Sequence, residues 1–400
     1  MANPYKYQDG NPSTHGNQMI LAAANRAGIE AAKAHMIYRQ FADRKFTLPQ
    51  RNGKIYKITK YQNMYDRALG TPEFLAKGFM QGRDIADVQT ATTGAALSEG
   101  AGRQNLVDTS VKVLETTMKR YGEMIEYTDE LDLFSDNMSS IRLRQQMGDR
   151  AASLYEDLLQ LDLLATTNVM YPSLASSVAT MGTGLVADGS LDNNYRASYD
   201  FFKRCVVKLK ANRAKKSTSA INATTGIGTV PIDASYYCVI PAAVHYDLDC
   251  LSKTSTDAKV SKFAFVPVVE YPSTKGAIEG EVGAMGEVRF IEAEQAVVYR
   301  GQGAEVPASY AGHLSKSQKG GKDHFDVFPV LFPTKDSFAT VGLEGKDGIN
   351  FIVKSPKEDV NRANNPYGTQ GFTSYNFFYA TLIIREEALL KGYLLATAID

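Results

Sequence analysis

The chain is short of the residues from which most catalytic and metal sites are built. Its 400 residues include five histidines and three cysteines. His15, His35, His245, His313 and His324 form no HxH or HxxxH pair, which argues against zinc. Cys205, Cys238 and Cys250 form no CxxC pair, and their odd number fits a reducing compartment better than a disulfide framework. Net charge is missing too, because 44 basic side chains balance 44 acidic ones. That disfavours a nucleic-acid binder with a strong global basic field, and it is compatible with a protein that self-associates. No apolar run approaches the roughly 18 residues of a membrane span. The opening MANPYKYQDGNPSTHGNQM lacks both the charged head and the apolar core of a signal peptide. The expectation is a soluble chain made in a cytoplasm. There is no GxSxG elbow, and no cysteine stands in a recognisable nucleophile context. GEVGAMG, Gly280 to Gly286, matches neither the dinucleotide-binding nor the Walker spacing and precedes a strand, so it reads as loop flexibility.

What the chain does have is periodicity. From Asn137 to about Thr167, Leu143, Met147, Ala151, Leu154, Leu158, Leu161 and Ala165 recur at steps of three or four, which predicts one long helix over 138–167. At 1.5 Å per residue, about 29 residues make a rod on the order of 43 Å long. Such a rod outspans the core of one small domain, so it reads as a spine. Ahead of it, residues 1–20 read as a polar arm and 21–45, rich in alanine, as a helix. Asn52-Gly53 turns the chain, and Lys54 to Tyr61 alternates as a strand with Ile55, Lys57 and Thr59 on one face. Val107 to Tyr127 alternates again, so the two runs form one long two-stranded excursion with its tip near 90–105. A protruding hairpin cannot bury both faces within its own chain, and it is a natural arm for a neighbour to cover.

Behind the spine, 173–197 reads as a surface loop and 198–214 as a helix with Phe201, Cys205 and Leu209 on one face. Residues 236–246 read as a buried strand entering a turn and helix. Short β segments follow to about 371, then the strong strand SYNFFYATLIIR, then a stretch that continues as helix or strand. The fold class is α+β.

Two charged features stand out. Glu123, Glu126, Asp129, Glu130, Asp132 and Asp136 offer paired carboxylates, but no histidine or arginine cluster lies near them in sequence, so a solvated or salt-bridged acidic edge is the preferred reading. Residues 21–60 hold nine basic side chains against Glu30 and Asp43, while 115–136 hold seven acidic ones against Lys119 and Arg120. Segments of opposite sign allow head-to-tail docking of copies. They also allow pairing within one subunit, or contact of the basic segment with nucleic acid.

LPQRNGKIYKITKY at 48–61, LSEGAG at 97–102 and MKRYGEMIEYTDELDL at 118–133, with Tyr121-Gly122 followed by Tyr127-Thr128-Asp129, carry a resemblance. The chain resembles the major capsid proteins of tailed phages with the Hong Kong 97 fold, and its local sequence is similar to the capsid family of N-four-type podoviruses. The resemblance implies an N-terminal arm and helix over 1–45 and an extended β-hairpin loop over 46–120. It further implies a spine-helix peripheral domain over 121–199, a β-rich axial domain over 200–371 and a returning peripheral strand over 372–400. The segment between Tyr61 and Gln89 departs from the simplest family pattern and has helical spacing, so the extended loop is expected to carry its own helix. The implied function is an icosahedral shell around double-stranded DNA, a virion capsid assembled in the host cytoplasm. Implied partners are further copies in hexamers and pentamers, a portal, scaffold or decoration proteins, and packaged DNA held non-specifically on the inner face, with no membrane. No catalytic residue, metal or cofactor is implied. Lys54, Lys57, Glu99, Arg103, Arg142, Arg144, Glu126 and Asp129 are the expected subunit-interface residues. Rival readings are an encapsulin-like compartment shell and a hydrolase using the 123–136 carboxylates.

Overall fold

The computed structural model describes residues 37–42, 44–61, 85–97, 99–100, 111–130, 139–186, 188–220, 232–254, 265–271, 277–346, 348–358 and 365–399. The expected arm over 1–20 and most of the expected helix over 21–45 lie outside them, as do most of the segment between Tyr61 and Gln89 and part of the expected hairpin tip.

Two sheets and one long helix make the centre. A seven-stranded sheet has the order β5 (Val169–Met170), β17 (Leu389–Leu394), β12 (Phe328–Pro333), β6 (Tyr236–Ile240), β9 (Val288–Glu292), β8 (Glu281–Met285) and β7 (Val266–Pro267). Strands β6, β12 and β17 are buried along their whole length, as strands covered on both faces are, with Lys391 the one charged side chain among them. β6 sends Tyr236, Cys238 and Ile240 into a cluster with Phe201, Phe202, Cys205 and Leu209 of a helix over Tyr199–Ala211, and sends Val239 to the other side. Ser198 caps that helix by accepting the Phe201 N–H. A second helix, Ala242–Thr254, follows β6 directly. The sequence predicts the helix over 198–214 and the buried strand at 236–246 entering a turn and helix, and leaves the segment of β17 as helix or strand.

The spine is the helix α2, Ser139–Leu164, preceded in the chain by the short helix α1, Ile85–Gly94. α2 lies between the seven-stranded sheet and a three-stranded one, β14 (Asn350–Lys354), β15 (Gln370–Tyr379) and β4 (Lys119–Thr128). Its buried row is Met147, Ala151, Tyr155, Leu159 and Leu163, four apart. Leu161, expected on the buried face, is 58% exposed. The expected row mixes steps of three and four, and the aromatic surface of β15 selects the neighbouring row instead. Tyr155 meets Tyr379 edge-on at 5.3 Å between ring centres and Phe377 at 5.6 Å. Polar bonds fix the register: Tyr379 Oη donates to Asp162 Oδ2 at 2.6 Å, and Arg150 donates twice to Glu123 at 3.0 and 3.1 Å. Lys391 Nζ donates to the Leu164 carbonyl at 2.8 Å, placing a cation on the free end of the helix.

Several expectations fail for identifiable reasons. Where a helix was expected to continue to residue 45, Tyr38–Phe41 form a 3-10 turn, and Arg44–Leu48 form β1, parallel to β13 (Phe338–Leu343). A long-range partner 295 positions away, pairing Arg44 with Ala339 by their numbers, overrides local propensity. The long strand over 107–127 breaks at Met118 into β3 (Val111–Thr117) and β4, with the Met118 N–H donating to the Lys54 carbonyl at 2.8 Å. GEVGAMG is not a flexible loop but contains β8, with Gly283 so close to Phe265 that a side chain there would collide with the ring. Residues 173–197 are more than a surface loop: Met181, Leu185 and Tyr195 are buried in a cluster with Phe325 and Leu395. β14 pairs with β15, and β17 sits inside the seven-stranded sheet.

The entry to the described chain is clasped by the spine. Glu156 of α2 accepts the backbone N–H of Tyr38 at 2.7 Å and of Arg39 at 3.3 Å. Burial pushes the Glu156 carboxyl from 4.5 up to about 7, against the pull of those N–H groups. A raised folded-state value favours the protonated form, so this contribution to stability is complete below about 4.5 and is lost as the pH rises through about 7. Denaturant titrations of the unassembled subunit at about pH 4.5 and pH 7.5 should therefore show wild type losing stability relative to Glu156→Gln, by on the order of 3 kcal/mol. A difference that stays flat or grows with pH would contradict the assignment.

Candidate subunit-contact surface

The hairpin expected from alternation is present. β2, Ile55–Tyr61, pairs antiparallel with β3 from Ile55↔Thr117 to Tyr61↔Val111. Its inner face, Tyr56, Ile58 and Leu114, rests on a small cluster of Leu48, Met118, Val341 and Leu382. Tyr56 stacks on Phe46 at 5.5 Å. Lys60 reaches further: its Nζ donates to the Ile384 carbonyl at 3.2 Å and lies 3.6 Å from Glu387. Burial holds the Lys60 ammonium below its ordinary value, against the attraction of Glu387.

The outer face has no such cover within the described residues. Ile55, Tyr61, Val111 and Val113 are exposed by 49, 74, 48 and 54% respectively, so one side of a short hairpin presents four large apolar side chains to solvent. In their midst Lys57 pairs with Glu115 at 3.0 Å. At the hairpin base, an open groove of about 730 Å³ is bordered by Lys54, Lys119 and Arg120.

The expected interface residues are scattered across this surface. Lys54 is exposed beside the groove. Lys57 answers a charge of its own hairpin, so it brings less net charge to a neighbour than expected. Glu99 is exposed in a turn shortly after α1. Arg103 lies outside the described residues, and Arg142 and Arg144 fall in the first turns of α2, with their side chains outside them. Glu126 is exposed on β4 and Asp129 is half-buried just beyond it. The structure therefore groups Lys54 with Lys119 and Arg120, and sets Glu126 and Asp129 at the far end of β4. Sequence reasoning missed Lys60 and Glu387, which nothing local links. Most of the segment in which a helix within the extended loop was expected lies outside the described residues, and α1 begins near its end.

The acidic cluster does not assemble into a carboxylate pair at Glu123 and Glu126, which point to opposite faces of β4. Glu123 is committed to Arg150 and accepts from Tyr375 Oη at 2.8 Å, and the Arg150 bond holds its carboxyl below the usual value. Asp132 and Asp136 lie outside the described residues. Among the described residues no three histidine, cysteine or acidic side chains gather as a metal site would require.

The chain is 28% identical to the major capsid protein of Pseudomonas phage KPP21, over 97% of this chain and 97% of that one. No protein-family model matches it. Similar solved structures include the capsid of Ralstonia phage GP4, with a TM-score of 0.49 at 10% identity over 89% of this chain and 88% of that one. The capsid structure of the Cyanophage P-SCSP1u gives 0.47 at 11% identity, over 90 and 88%.

The internal pairing of Lys57 carries a testable consequence. Lys57→Glu or Glu115→Lys alone sets like charges across the hairpin and should lower subunit stability by no more than about 1 kcal/mol. The double exchange should restore it. Thermal melts of the four proteins would show this, and a much larger loss would mean the pair is needed for the hairpin itself.

Proposed function

We propose that the chain is a major capsid protein that self-assembles into the icosahedral shell of a tailed double-stranded DNA phage. The observation that carries this reading is the end-to-end match to a phage major capsid protein, in which neither chain leaves a large part unmatched. The α+β architecture supports it: a long helix lies between two sheets, and a hairpin presents one apolar face left uncovered among the described residues. In this reading the fold is of the Hong Kong 97 type, with residues 1–45 the arm, 46–120 the extended loop, 121–199 the peripheral domain, 200–371 the axial domain and 372–400 the returning segment. The role is structural, not catalytic. The partners are further copies in hexamers and pentamers, a portal, scaffold or decoration proteins, and DNA held without sequence preference, and the shell assembles in the host cytoplasm.

The work done is collective. Each exposed patch is too small to hold a partner alone, but each subunit presents several, and once one contact forms the others close at high effective concentration.

Negative-stain microscopy with light scattering on the purified protein and on infected-cell lysates tests the reading. Shells, capsomer rings or tubes are expected, and a monomer or dimer under every condition would overturn it. Paired reversals, Lys54→Glu with Lys57→Glu, or Glu99→Lys with Arg103→Glu, should reduce particle yield while subunit melting shifts by no more than about 2 °C. Full assembly of both variants would remove these residues from the interface.

A further inference from the structure

Strand β4 carries unanswered charge of opposite sign at its two ends. At its start, Lys119 and Arg120 join Lys54 around the groove, whose apolar lining includes Leu48, Met118 and Phe378. The Arg120 guanidinium lies 5.7 Å from the centre of the Phe378 ring. All three cations are exposed, and none makes an ion pair among the described residues. At the other end, Glu126 and Glu130 are exposed and Asp129 is half-buried, again with no ion pair among the described residues. One end of the strand is thus cationic beside a partly apolar groove, and the other is anionic.

A chain cannot join these two ends to each other. β4 spans ten residues, about 30 Å at 3.3 Å per residue. It is held in register by β15 at every position, from Lys119↔Tyr379 to Thr128↔Gln370. Just past its end the Asp129 N–H donates to the Thr369 carbonyl at 2.8 Å. α2 then runs back along the same sheet, since Arg150 reaches Glu123 while the later Asp162 reaches Tyr379, which pairs with Lys119. Glu126, Asp129 and Glu130 therefore lie toward the end of β4 remote from the groove.

We propose that the groove formed by Lys54, Lys119 and Arg120 binds the acidic end of β4, Glu126, Asp129 and Glu130, of a second copy of this chain. The contact is one-way: each copy offers one basic groove and one acidic end, and after pairing still has one of each to offer. Such a heterologous contact propagates, and closes into rings or shells when the rotation allows. It also explains how a neutral chain recognises its own kind, because complementary ends attract while like ends repel. The proposal rests on the shell-forming reading and names one contact within it, separate from the apolar outer face of the hairpin.

Zero-length carbodiimide coupling, which joins a carboxylate to a lysine amine, tests the contact in unmodified particles. Particles would be assembled from a mixture of ¹⁴N- and ¹⁵N-labelled chains, coupled, digested and read by mass spectrometry. Mixed-isotope links from Lys54 or Lys119 to Glu126, Asp129 or Glu130 are expected. Particles in which these lysines link only within one chain, or only to acidic residues elsewhere such as those in 1–36, would overturn the proposal and leave the shell reading intact. Failure of the unmodified protein to form particles at all would instead remove the reading on which it rests. As a second measure, Lys119→Glu with Arg120→Glu should abolish particles, and adding Asp129→Lys with Glu130→Lys should restore them, a rescue that a merely misfolded variant would not show.

Discussion

Everything outward in this molecule hangs on the contact between the spine helix and the aromatic face of β15. Tyr155 sits against Phe377 and Tyr379, and the bonds from Tyr379 to Asp162 and from Arg150 to Glu123 prevent the helix from sliding. β15 holds β4 on one side and β14 on the other. β4 continues through Met118 into the hairpin strand β3, and β15 continues through β16 (Thr381–Ile383) toward β17. One helix-on-sheet contact thus sets where the hairpin starts and how the largest sheet receives its last strand. Its strength is that of many small dispersion contacts and buried apolar area, made specific by a few polar bonds.

What could be read from the sequence is what repeats locally. The spine, the helix at Tyr199–Ala211, the buried β6 and the alternating hairpin strands all follow from spacing, because an element's period is local even though the face it buries is chosen by its partners. What escaped depends on partners far away. Leu161 and Leu159 are equally plausible core residues until the surface of β15 is known. Residues 37–48 carry no sign that Glu156 waits for their N–H groups, or that β13 waits for β1. Met181, Leu185 and Tyr195 have no period, so their burial under Phe325 could not be inferred. At the candidate interface, the charge asymmetry along the chain was legible, but its arrangement was not: Lys57 is neutralised at home, whereas Lys119 and Arg120, the minority charges of an acidic stretch, turn out to border the groove with Lys54.

The protein separates two uses of charge. Lys208 and Lys391 are buried and donate to main-chain carbonyls of Val169 and Leu164, and burial lowers both ammonium groups from their ordinary values. These cations serve the fold, and removing either would strand a carbonyl in the interior. The charges around the groove and at the far end of β4 contribute little to one subunit taken alone. A neutral total therefore conceals a buried set that is satisfied and a surface set that is directional.

Lys60 gives the hairpin a mechanical role. Its ammonium ties the underside of β2 to the Ile384 carbonyl and to Glu387, immediately before β17. β17 lies between β5 and β12 and shares six register pairs with β12, from Pro333↔Leu389 to Phe328↔Leu394. A neighbour that pulls on the hairpin consequently pulls on a strand inside the largest sheet. Load applied at the protruding arm is shared by the most deeply buried part of the subunit, so an arm that looks peripheral is braced against the interior as a lever is against its fulcrum.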